Sequence, residues 1–267
     1  MSDYLTQPRV DVRRAADRHV TNMGWLDSKQ SFSFGGHRDF GNTHHGVLLV
    51  SNDDTVLPGT GFDTHPHRDM EIVTWVLDGS LVHKDSEGNS GVIYPGLAQR
   101  MSAGTGILHS ERNDSWRPAG SAPGSGSSLA SGDASGEDPV RFLQMWVVPD
   151  ERGITPSYEQ LEVSDKHLRG GLMPIASGMD RYAGESAIRI KNRYATMHVA
   201  RLVSGQTVEI PEAPWLHLFV AQGRVELEGA GELSVGDSGR FTAGGGHKVA
   251  AAEPSEIVVW EMHATIR

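Results

Sequence analysis

Apolar and polar positions along this chain alternate in short runs closed by glycine turns. "GVLLVSND" (46–53), "MEIVTWVLDG" (70–79), "GSLVHKD" (79–85), "SGVIYPG" (90–96) and "RFLQMWVVPD" (141–150) read as strands. Turn signals every eight to twelve residues suit a sandwich or barrel. The second half repeats the style in "IRIKNRYATMHVARLVSG", "QTVEIP", "WLHLFVAQGRVELEG", "GELSVGDSGRF" and "EIVVWEMH". Helical periodicity is scarce; "RVDVRRAADRHV" and "SYEQLEVSDKHL" are the short candidates. The pattern predicts an all-β protein with two halves of similar character, residues 1–150 and 151–267, meeting near the polar "DERGITPSYEQ". An internal duplication would explain it.

Composition refines this picture at a few points. Residues 117–138, "RPAGSAPGSGSSLASGDASGED", are nearly all small or polar. Such a stretch cannot bury enough apolar surface to offset its ordering entropy, so it predicts a flexible surface insertion between two strands. No apolar run approaches the roughly 20 residues of a spanning helix. The N-terminus, "MSDYLTQPRVDVRRAADRH", is too polar for a secretory signal. A cytoplasmic monomer without membrane contact is expected. The net charge of -10 disfavours direct contact with nucleic acid. The chain has no cysteine, so any metal must be held by His, Asp or Glu.

Candidate chemistry concentrates in two pairs. His65 and His67 stand at i and i+2, and so do His109 and Glu111. On a strand such side chains point the same way, about 6.6 Å apart. Two paired strands could then deliver three nitrogens and one carboxylate to a single ion, a set that suits iron, manganese, nickel, cobalt, copper or zinc. Glu71 follows His67 by four residues. On a straight strand it would lie about 13 Å beyond His67, sharing its face but not its depth. Glu111 is then the better ligand, unless the chain bends after Asp69. Glu71 is expected to be a substrate-facing carboxylate or reserve base. His37, His44 and His45 read as lip or surface residues. His217 and His247 read as satisfied core or rim histidines, and Met70, Trp75, Met101 and Met145 as core.

These residues resemble a known superfamily. The first cupin motif matches Gly59, His65, His67 and Glu71, with its closing Gly79 one residue late; the end of the second matches Gly106, His109 and Asn113. More narrowly, "THPHRDMEIVTWVLDGSLVHKDSEGNSGVIYPG" and "QRMSAGTGILHSERN" are similar to the signature blocks of pirins. "SFSFGGHRDFGN" and "FLQMWVVPDERGITPSYEQ" fit as well. The resemblance covers nearly the whole chain, apart from the Ser/Gly-rich insertion. It implies a bicupin, two antiparallel β-barrel (jelly-roll) domains, with metal only in the N-terminal one. It implies ligands His65, His67, His109 and Glu111, whereas the general cupin pattern would use Glu71 in place of Glu111. The second half offers a single His217 and an isolated His247, which suits a structural barrel.

The resemblance also implies an activity. The expected function is a metal-dependent dioxygenase, with iron(II) as the first expectation, opening the ring of flavonols such as quercetin with O2. Glu111 would take the substrate's hydroxyl proton, with Glu71 in reserve. The alternative is a regulator that binds a protein partner according to the metal's redox state.

Overall fold

The computed structural model describes residues 9–114 and 137–266, so residues 117–136 of the expected insertion lie outside the described residues. The chain divides into two compact units. Both are built almost wholly from antiparallel strands, numbered here along the chain.

One unit comprises residues 19–31 and 50–162. Its larger sheet has seven strands in the order β12 (Ser157–Glu162), β9 (Leu97–Ser102), β6 (Glu71–Asp78), β11 (Val140–Val147), β4 (Leu48–Val56), β3 (Leu26–Gln30) and β2 (His19–Asn22). Its smaller sheet has four, in the order β5 (Thr60–His67), β10 (Ile107–Asn113), β7 (Leu81–Asp85) and β8 (Ser90–Ile93). Leu26, Val56, Val76, Leu81, Ile93, Leu97, Val140 and Phe142 come from both sheets and form one buried cluster between them. That is a double-sheet jelly roll rather than a closed barrel.

The other unit takes the described residues up to Arg18, Phe32–Leu49 and the chain from Val163 on. Its seven-stranded sheet runs β1 (Arg9–Arg13), β20 (Ser238–Gly244), β17 (Ala213–Gln222), β22 (Ser255–Met262), β15 (Ala195–Leu202), β13 (Met173–Ser177) and β14 (Ile188–Arg189). Its four-stranded sheet runs β16 (Thr207–Glu209), β21 (Lys248–Ala251), β18 (Arg224–Leu227) and β19 (Gly231–Ser234). Leu216, Leu218, Val220, Phe241, Ile257 and Val259 are among its buried core.

The expected duplication is visible in the topology. The order β9-β6-β11-β4 in one unit matches β20-β17-β22-β15 in the other, and β5-β10-β7-β8 matches β16-β21-β18-β19. Equivalent glycines close β6 and β17. Gly79 and Gly223 have φ of 73° and 72°, and a Cβ on either would press on a proline carbonyl, Pro139 or Pro254.

Two helix expectations are corrected. Arg9–Arg13 is strand β1, paired with β20, because Val10 and Val12 reach the second unit's core at a period of two. Ser157–Glu162 is strand β12, paired residue for residue with β9. Helix begins only at α1 (Asp165–Arg169), capped by Ser164. The division also falls after Glu162 rather than near 150, since β12 completes the first unit's large sheet.

Candidate metal centre

The site grows from the pairing of β5 with β10. His65 lies opposite His109, and His67 opposite Ile107. The register then shifts, so that Glu111 faces Phe62 rather than Asp63. The extra residue on β5 is a bulge, which flips the inward parity along the strand. Phe62 thereby packs against the core cluster while His65 and His67 also face the site.

His65, His67 and His109 offer ligand atoms that all lie within 4.8 Å of one another. Their ring centroids are 4.5 to 4.9 Å apart, and Nε2 of His65 sits 3.1 Å from Nε2 of His109. His65 Nδ1 donates to the Asp63 carbonyl at 2.7 Å, which leaves its Nε2 lone pair for a metal. Burial, reinforced by His65, lowers the pKa of His67 to about 4. Burial and the neighbouring histidines lower His109 to about 2. Three neutral imidazoles crowded at contact distance are the donor set of a divalent transition metal.

Glu111 belongs to a second, adjoining group with His109 and His83, again within 4.8 Å. It is fully buried. Thr74 Oγ1 donates to it at 3.3 Å and Gln144 Nε2 at 2.5 Å. Burial raises its pKa to about 7, against the pull of those two hydrogen bonds. Such supports are what hold a ligating carboxylate in place.

Glu71 is placed elsewhere. Asp69 adopts a left-handed conformation, φ 49°, and the chain leaves the small sheet for the large one. Beyond this turn the inward face of β6 carries Ile72 and Thr74, the latter touching Glu111. Glu71 lies on the opposite face, where Ser102 donates to it at 2.9 Å. The straight-strand expectation of a shared face therefore fails. The bend does occur, and it turns Glu71 away from the histidines.

His83 escaped the sequence reading. It lies across from Glu111 in the β10–β7 pairing, donates from Nε2 to Asp85 at 3.3 Å, and stacks on Tyr158. "His-Lys-Asp" has the same i, i+2 spacing as the other two pairs, so the signal was present. Burial lowers the His83 pKa, and burial with Glu111 and Asp85 raises that of Tyr158. Trp146 packs edge-on against His67, 4.8 Å between centroids. A cavity of about 440 Å³ opens beside the site, lined by Pro66, His67, Arg68, Ser86 and Gly106–Leu108.

Of the remaining histidines, His45 is more buried than a lip residue; its Nε2 donates to the Phe241 carbonyl at 2.9 Å. His217 is buried as expected, but neither ring nitrogen has a hydrogen-bond partner among the described residues.

A jelly roll with three strand-borne histidines and a neighbouring carboxylate defines a cupin-type metal site. The particular kind of cupin follows from comparison: the Pirin family model matches residues 11–147, and the chain belongs to the pirin family. It is 57% identical over 257 residues to a Mycobacterium tuberculosis protein named "Putative quercetin 2,3-dioxygenase", covering 96% of each chain. It is 42% identical over 182 residues to quercetin 2,3-dioxygenase of Escherichia coli, covering 65% of this chain and 70% of that one. The crystal structure of the E. coli pirin YhhW in complex with nickel(II) superposes with a TM-score of 0.79 at 28% identity, covering 97% of this chain and all of that one. Among the described residues, no helix is long and apolar enough to cross a membrane.

Proposed function

We propose that this protein is a metal-dependent dioxygenase that opens the ring of a flavonol-like substrate with O2. The observation that carries this reading is the cluster of three neutral histidines beside a buried carboxylate. The names of the relatives support it. His65, His67 and His109 would hold the metal, with Glu111 completing the set. A bound divalent ion would supply Lewis acidity for an acidic substrate hydroxyl and, where the ion is redox-active, a centre for O2.

The chain's own residues supply the rest. Glu111 accepts the substrate's hydroxyl proton; Thr74 and Gln144 hold its carboxylate in place for that transfer. Trp146 gives a flat surface near the histidines on which an aromatic ring can lie. Iron(II) is the first candidate metal, with manganese, nickel, cobalt, copper and zinc behind it. Cellular supply, rather than the ligand set, selects among them.

The test is anaerobic loading with each of these metals, followed by exposure to quercetin in air. Turnover with at least one metal is expected, and it should be abolished in His109→Ala. Absence of turnover with every metal would remove the flavonol reading.

A further inference from the structure

The second unit has its own cavity at the equivalent end of its jelly roll. In the first unit the opening lies where β5 ends and β10 begins. In the second, a cavity of about 740 Å³ lies where β16 ends and β21 begins. It is lined by Glu212, Ala213, Pro214, Ala243–Gly245, His247 and His263.

The polar groups around it are built rather than scattered. Ile257 and Val259 of β22 face the second unit's core, and alternation puts Glu261 on that same face. Glu261 pairs with Leu216 as Trp146 pairs with Ile72 in the first unit. Each partner stands seven residues before the equivalent glycine, Gly223 or Gly79. Glu261 therefore occupies the register of a residue that packs on the metal-site histidines. It is fully buried and collects four donors. His198 Nε2 lies at 3.0 Å and the Tyr182 hydroxyl at 2.8 Å from one oxygen. His263 Nε2, at 2.8 Å, and Arg181 approach the other. A carboxylate oxygen only 2.8 Å away assigns the His263 proton to Nε2, although Arg181 Nη2 lies 3.3 Å from the same nitrogen.

That tautomer matters. With the Nε2 proton of His263 held by Glu261, Nδ1 keeps its lone pair. His247 Nδ1 donates to the Glu228 carbonyl at 3.2 Å, which leaves its Nε2 as an acceptor. Glu212 adds a carboxylate. The cavity is thus bordered by three hydrogen-bond acceptors among apolar Ala213, Pro214 and Ala243. Two imidazoles and a carboxylate could suggest a second metal. However, these three do not form one of the groups with ligand atoms within 4.8 Å found among the described residues. As they stand they do not converge on one ion, so a ligand that bridges them must be larger.

We propose that the second unit carries a metal-free site for a neutral polyhydroxylated small molecule, an aromatic diol in the simplest case, whose hydroxyls donate to His263, His247 and Glu212. This site does not depend on the metal centre or on its reaction.

Resorcinol is a suitable probe, because its meta hydroxyls do not chelate a metal. Its titration into the full-length protein, metal-loaded and metal-free, is followed by backbone amide NMR shifts. Shifts are expected at 212, 213, 243–247 and 263 in both forms. 1,3-Dimethoxybenzene, which has the same ring but no donors, should bind about tenfold more weakly or less. Glu212→Gln and His263→Phe should each weaken resorcinol by about tenfold while leaving metal content unchanged. Equal binding of the two probes to the wild-type protein would overturn the proposal, whatever the variants do. So would shifts confined to residues 65, 67 and 107–111, or no shifts in either form.

Discussion

Single residues decide what the site holds. Glu111 and Glu71 are both buried carboxylates, but only Glu111 shares a group with a site histidine. Glu111→Ala should weaken metal binding at least about tenfold, whereas Glu71→Ala should leave it nearly unchanged. Glu71→Ala should instead lower stability by about 1–3 kcal/mol, since Ser102 loses its acceptor in the interior. Competition against a chromophoric chelator and urea unfolding measure the two effects; equal metal loss in both variants would contradict the assignment. His83 buttresses His109 and Glu111 from the next strand. His83→Ala should lower metal affinity about 10-fold to 100-fold by the same assay, although His83 is not proposed as a ligand. The three histidines were legible because i, i+2 spacing on a strand leaves little freedom. The placement of Glu71 was not, because one left-handed residue, Asp69, moves the chain to another sheet and resets its parity.

At the scale of strands, the bulge in β5 is the device that seats the site. Next to it, Gly61 permits β5 to approach β10 closely: a Cβ there would lie 2.4 Å from the Glu111 carbonyl and 2.5 Å from Arg112 Cα. Gly61→Ala must therefore push β5 away from β10, just where the pairing aims Glu111. Loss of metal affinity together with a fall in stability of about 1–3 kcal/mol is expected, read by the same competition assay and by urea unfolding. A variant with wild-type values in both would show that this close approach is dispensable. Strand existence and turn positions were readable from apolar runs and glycines. The bulge was not, because an extra residue in one strand is defined only against its partner. β1 and β12 were misread for a related reason: they are edge strands, and their charged residues mimic a helical surface until the pairing with β20 and β9 is known.

Across the molecule, the two units share eight strands in one order but differ in what stands at the open end. One carries the histidine cluster; the other carries the Glu261 network. The duplication could be suspected from the sequence, but its strand correspondence needed the sheet order. The second unit also buries histidines in neutral form. Burial, opposed in part by the Phe241 carbonyl, lowers His45 to about 4; burial, with Arg240 and His45, holds His217 well below its usual value. In the unfolded chain both take up a proton near pH 6.5, whereas the folded protein binds fewer protons below that pH. Stability should be full above pH 6.5 and fall as pH drops from there toward 4, by up to about 1.4 kcal/mol per pH unit for each histidine. Urea midpoints at pH 7.5, 6 and 5 test this, and a flat profile would contradict the buried neutral forms.

Oxygenative ring opening at the His65–His67–His109 cluster with Glu111 releases CO as it consumes O2. The most direct measurement follows O2 consumed and CO released in one closed vessel, with metal-loaded protein and quercetin. Equal amounts of CO and O2, both falling to background in His109→Ala, are the predicted result. Quercetin loss without CO, or CO release that persists in His109→Ala, would contradict it.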